Sequence, residues 1–111
     1  HYQEPFPTAR SRRPVRQWPL EIPIEGNPSD VHLAVKGYNA WLQETETPMI
    51  LFYGDPGGLI REEDVSWLRS HIKNLTTVDI GPGLHFVQED NPHKIGEDLG
   101  TWIEGLGGKT D

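Results

Sequence analysis

The 111-residue chain has room for one small domain and little more. It contains no cysteine, which excludes a disulfide framework and a thiolate metal site, and no apolar run is long enough to span a bilayer. The net charge of −7 is uneven: Arg10, Arg12, Arg13 and Arg16 against Glu4 make residues 1–17 basic, while the rest holds six bases against sixteen acids.

A basic arm before an acidic body is one signature of a nucleic-acid tail. Here the arm also carries Tyr2, Phe6, Val15 and Trp18 with three prolines, the composition of a folded covering segment with solvated or ion-paired arginines. No nucleic-acid partner is expected. With no cysteine, no opening secretory signal and no membrane span, the expectation is a soluble, cytoplasmic protein.

In chain order, residues 1–26 are rich in proline (Pro5, Pro7, Pro14, Pro19, Pro23), which predicts extended or turn structure. Asn27 reads as an N-cap, with Pro28 at the first helical position and Asp30 in the first turn. Val31, Ala34, Val35, Tyr38, Trp41 and Leu42 follow at helical spacing and carry the helix to about Gln43. Met49-Ile50-Leu51-Phe52-Tyr53 is a continuous apolar run, closed by Gly54, that predicts a strand buried on both faces. A loop over Asp55-Pro56-Gly57-Gly58 leads to a second helix from Glu62 to about Lys73, with Val65, Leu68 and Ile72 inward. Thr76 to Ile80 predicts a second strand, ended by Gly81-Pro82-Gly83. Asn91-Pro92 repeats the Asn-Pro helix start, and Ile95, Leu99, Trp102, Ile103 and Leu106 carry a final helix that Gly107-Gly108 stops.

The order helix, strand, helix, strand, helix is an α/β pattern, and the crossover rule makes the two strands parallel neighbours. Two such strands with three helices leave a sheet edge uncovered and cannot bury both faces of Met49–Tyr53. The expectation is therefore part of a larger domain.

In an open parallel sheet, chemistry gathers at the carboxyl ends of the strands. His85 lies in the loop after the second strand, between a glycine-rich turn and a helix start, with Leu84 and Phe86 as apolar walls. A histidine there suits general-base work near neutral pH, although a lone loop histidine is more often structural. His32 and His71 fall on helices and His93 in a first helical turn, while His1 stands at a chain end. No two histidines stand with a carboxylate at metal-ligand spacing, so neither a metal nor another cofactor is expected. Gln88-Glu89-Asp90 fits acids placed before a helix N-terminus. Asn74-Leu75-Thr76 matches a glycosylation acceptor, a pattern common by chance.

Leu84-His85-Phe86-Val87-Gln88-Glu89-Asp90-Asn91-Pro92 resembles the histidine loop of haloalkane dehalogenases. Val78 to Gly83, Glu21-Ile22-Pro23-Ile24-Glu25-Gly26, Tyr38-Asn39-Ala40-Trp41-Leu42, Tyr2-Gln3-Glu4-Pro5-Phe6 and Asp55-Pro56-Gly57 extend the resemblance over essentially the whole chain. It implies the C-terminal part of an α/β-hydrolase fold: residues 1–26 as the end of the helical cap, and 27–111 as the last two parallel strands and three helices of the core. It implies hydrolysis of a carbon–halogen bond through an alkyl-enzyme ester formed on an aspartate, with water activated by a histidine that His85 matches. The partners implied are a small halogenated hydrocarbon and water.

The nucleophilic aspartate and the halide-binding residues of the family have no match in this chain, so the implied activity needs an N-terminal part preceding residue 1. The position after the seventh strand that often holds the triad acid matches Gly57, which places the acid in that N-terminal part and leaves Asp55 as a lesser contender. Ile22 and Pro23 match cap residues facing the pocket, and Gly58, Leu59 and Phe86 match its floor and access tunnel. Gly58 replaces a larger side chain, which implies a roomier tunnel. Coelenterazine luciferases are similar over the same motifs, but carry two aromatic residues where Gly58 and Leu59 stand. A catalytically incomplete fragment is the reading from another class.

Overall fold

The computed structural model describes residues 4–107. Tyr2 of the matched N-terminal motif and Gly108 of the expected helix stop lie outside the described residues. The chain divides into two compact units, His1–Trp41 and Leu42–Asp111, so the division falls inside a helix.

In the first unit, α1 spans Arg13–Leu20, where extended structure was expected. Thr8 and Ser11 exchange hydrogen bonds, each backbone N–H donating to the other's hydroxyl at 3.1 Å, and wind the chain toward the helix. Pro14 then falls in the first turn, where no intrahelical N–H is required, and Pro19 falls in the last, where one lost bond is tolerated. Glu21 and Ile22 close the end by donating to the Trp18 and Pro19 carbonyls. Proline density alone cannot separate a loop from a short helix with proline at its ends. Glu25 and Gly26, both with positive φ, form a tight turn closed by Asn27 N–H to Ile24 C=O at 3.0 Å.

The helix α2 runs Ser29–Glu44. Its first bond is His32 N–H to Pro28 C=O at 3.0 Å, so Pro28 takes the cap position expected of Asn27.

The second unit holds β1 (Met49–Pro56), α3 (Glu62–His71), β2 (Leu75–Gly83), a short α4 (Val87–Asp90) and α5 (Pro92–Gly107). The strands are parallel neighbours, in register from Met49 opposite Leu75 to Tyr53 opposite Asp79. Both run past their expected ends: after an irregularity between Tyr53 and Asp55, Asp55 pairs with Pro82 and Pro56 with Gly83. With α1 and α4 the described chain has five helices rather than three.

Val65 of α3 and Ile80 of β2 are the buried apolar side chains among the described residues. Met49 to Tyr53 are only half-buried, not covered on both faces as expected. A two-stranded sheet has too little neighbouring surface to bury such a run. Polar side chains supply much of the stitching. Arg69 donates from Nε to Thr77 Oγ1 at 2.8 Å and from Nη2 to Tyr53 Oη at 2.9 Å, which ties α3 to both strands. Trp102 Nε1 donates to Thr76 Oγ1 at 3.2 Å and ties α5 to β2. The Asn74 amide donates to Glu46 C=O at 2.8 Å, a structural use for the residue that opened the glycosylation pattern. Among the described residues, no helix is long and apolar enough to cross a membrane.

Candidate active site

The two strands come close together at their carboxyl ends. Gly54 and Gly83 are both buried, and a Cβ on Gly54 would meet Gly83 Cα at 3.0 Å and its nitrogen at 3.2 Å. Glycine permits that approach, whereas any side chain would press the two backbones apart by a few tenths of an ångström. The Gly57 N–H then donates to Gly83 C=O at 3.1 Å, joining the β1 loop to the end of β2.

Beyond Gly83 the chain turns through Leu84, His85 and Phe86 into α4. The Leu84 N–H donates to Asp90 Oδ2 at 2.9 Å, and Asn91 Nδ2 donates to Pro82 C=O at 2.9 Å. Phe86 has φ 65 and ψ 43, a left-handed conformation uncommon for a bulky residue and often found where structure serves function. Its carbonyl accepts from Glu89 N–H at 2.7 Å, which starts α4, the helical turn that hydropathy does not reveal. The His85 and Phe86 rings stack with centroids 4.4 Å apart and planes 20° from parallel.

His85, Gly58, Leu59 and Phe86 line one cavity of about 280 Å³, together with Phe52, Tyr53, Gly54, Ile60, Leu84, Val87 and Gln88. Its walls are chiefly apolar, with His85 the one imidazole among the lining residues. His85 is nonetheless exposed, not enclosed by apolar walls, because Leu59 and Phe86 beside it are themselves exposed. Among the described residues the ring makes no hydrogen bond to a carboxylate, and the nearby Asp90 carboxylate instead holds Leu84. Asp55, expected in a turn, is exposed in β1 opposite Pro82 and is not among the lining residues.

Gly58 packs directly on the histidine: a Cβ there would meet His85 N at 2.9 Å, Cα at 3.1 Å and Cβ at 3.2 Å. Ile22 and Pro23 lie in the first unit, between α1 and the Glu25–Gly26 turn, with Ile22 exposed and Pro23 half-buried. His32, His71 and His93 line none of this cavity. The His71 ring stacks on Trp67 at 4.1 Å, with Nδ1 2.8 Å from the Trp67 carbonyl.

Asp90 and Asn91 are the site residues that sequence reasoning passed over. Asp90 was read as a helix-dipole acid and Asn91 as a cap. Asn91 does cap α5, accepting from Ile95 N–H at 3.2 Å, but its amide also turns back to Pro82. The signal available was two short polar side chains seven and eight residues after the strand end at Gly83, which has no meaning until the turn is known.

A parallel strand pair with a histidine turn at its carboxyl edge, packed by helices, is the C-terminal portion of the α/β-hydrolase fold. The crystal structure of DBJA superposes with a TM-score of 0.94 at 37% identity, covering 99% of this chain and 37% of that one. That of haloalkane dehalogenase DbeA from Bradyrhizobium elkani gives 0.94 at 35% identity over 98% of this chain and 38% of that one. The curated haloalkane dehalogenase of Bradyrhizobium diazoefficiens is 39% identical over 105 residues, which is 95% of this chain. The chain is thus similar to the C-terminal part of haloalkane dehalogenases, and spans about a third of the length of the curated relatives it matches. No protein-family model matches the chain.

Proposed function

We propose that the full-length protein carrying this chain is a haloalkane dehalogenase, and that His85 is the base of its hydrolytic step. The observation that carries this is the exposed His85 ring in a mostly apolar cavity at the carboxyl edge of β1 and β2, in a chain 34–39% identical to curated haloalkane dehalogenases. An apolar cavity suits a small halogenated hydrocarbon, which offers almost no hydrogen-bonding group. A carboxylate supplied by a segment before residue 1 displaces halide from carbon and leaves an alkyl ester. His85 then takes a proton from water, whose oxygen attacks the ester carbonyl; the carboxylate and an alcohol are released, and the histidine loses its proton to solvent.

The triad acid comes from that same preceding segment, because Asp55 is held in the strand ladder and lies off the cavity. Residues 1–26, with Ile22 and Pro23, correspond to the end of the cap domain of such an enzyme, and Gly58, Leu59 and Phe86 to its pocket floor and tunnel wall. Gly58 widens that tunnel. The site calls for no cofactor, and a cysteine-free chain fits a cytoplasmic setting.

The test is His85→Ala in the full-length protein with a short bromoalkane. The expected result is one equivalent of bromide per site and an alkyl adduct by intact mass, with steady turnover reduced about 100- to 10,000-fold, the usual contribution of a general base. Sustained bromide release by the variant would overturn the assignment of His85. Light from coelenterazine without bromide release by the unaltered protein would overturn the dehalogenase reading.

A further inference from the structure

We propose that Asp90 and Asn91 are positioning residues for His85, holding the two ends of its turn by side-chain hydrogen bonds so that the imidazole meets the ester's water at the correct angle. The proposal rests on His85 being the hydrolytic base. The Asp90 carboxylate accepts from the N–H of Leu84, the residue before the histidine, at 2.9 Å. The Asn91 amide donates to the carbonyl of Pro82, on the strand side of the turn, at 2.9 Å. Between them lies Gly83, whose position leaves a Cβ only 3.3 Å from Asp90 Oδ2, so the clamp is packed as well as bonded. On the far side Phe86 sits at positive φ. A turn that includes a left-handed bulky residue persists only where its surroundings over-determine it. The two clamps supply that constraint.

No other role accounts for both bonds. A helix-dipole acid need not reach back to the N–H of residue 84. The capping of α5 uses the Asn91 backbone carbonyl, leaving the amide free to hold Pro82.

The closing experiment measures halide burst, alkyl-ester decay, kcat and KM in the full-length protein for Asp90→Ala, Asp90→Asn and Asn91→Asp. Asp90→Asn keeps an oxygen acceptor for Leu84, so it should retain most of the activity that Asp90→Ala loses. Asn91→Asp keeps the helix cap, which uses the backbone carbonyl of residue 91, but sets a carboxylate against the Pro82 oxygen. Asp90→Ala and Asn91→Asp should slow ester decay about 10- to 100-fold, the cost of a small misplacement of a catalytic group. The burst should be unchanged, and KM should fall with kcat so that kcat/KM stays within about twofold.

Ester decay at the unaltered rate in Asp90→Ala and Asn91→Asp overturns the proposal. A smaller burst with normal decay also overturns it, because that marks lost folded sites. Asp90→Asn as slow as Asp90→Ala overturns the hydrogen-bond role of Asp90. If His85→Ala itself fails to accumulate ester, the functional reading fails instead, and that outcome is distinct from all three.

Discussion

The loops after β1 and β2 leave the same sheet edge side by side, yet they are built by different means. At the sheet edge the β1 loop is held by backbone: Asp55 and Pro56 stay in the strand ladder, Gly57 donates to Gly83 and Gly58 packs against His85, and a side chain enters only where α3 begins, Asp64 accepting from the Arg61 N–H at 2.8 Å. The β2 loop is held by side chains, with Asp90 and Asn91 bonding its main chain and Phe86 stacked on His85. One loop thus supplies a wall and the other a functional group. The difference shows how a glycine-rich segment serves a neighbour by making room, while the segment with the reactive ring needs polar ties.

The sharpest way to break this arrangement is Gly54→Val. Its Cβ would meet Gly83 at 3.0–3.2 Å, and both partners are backbone that cannot rotate away. The variant is expected to lose about 3 kcal/mol of stability, the upper range for overpacking, measured by denaturant unfolding of the full-length protein. A midpoint within error of the original would show that the strand ends part freely.

In substrate preference a smaller effect is expected from Gly58→Val, which narrows the cavity and whose Cβ, 2.9 Å from the His85 backbone nitrogen, also presses on the histidine. Relative kcat/KM for a branched over a linear bromoalkane should fall about tenfold, the scale of one or two methylene groups in an apolar pocket. Slower ester decay with unchanged substrate preference would mean that the glycine serves the histidine rather than the tunnel.

The smallest effect is expected at the pair Lys94 and Asp98 on α5, 2.9 Å apart. The hydrogen bond from Lys94 to Asp98, and then the charge of Asp98, raise the lysine pKa above its ordinary 10.5. A raised pKa in the folded state means that this contribution is present below about 10.5 and fades as pH climbs through the raised value. The lysine precedes the acid, the weaker orientation for a helical pair, and both are solvated. Lys94→Met should leave the melting temperature unchanged within error at pH 7. A measurable drop there, fading as the pH passes the raised lysine value, would show a stronger pair than solvent screening allows.

The apolar periodicity of α2, α3 and α5, and the apolar run of β1, place those elements to within a few residues. Those patterns are local and repeat with the period of the element. Legibility fails where local signals conflict. The prolines that suggested a loop sit at the tolerated ends of α1, and the four residues of α4 are too few to show a period. The strand ends were set too early because Gly54, Pro56, Pro82 and Gly83 read as breakers. Whether such residues stay in a ladder depends on the partner strand's approach, which a single segment does not encode.

By itself the sequence determined that two strands run parallel and that His85 follows the second, because hydrophobic runs, helix starts and turn residues act over a few neighbours. Only the tertiary structure decided that Asp55 belongs to the ladder, that Gly58 lies against His85, and that Asp90 and Asn91 hold its turn. Those facts depend on the distance between segments that the chain separates by 6 to 27 residues, and distance across a fold is set by packing.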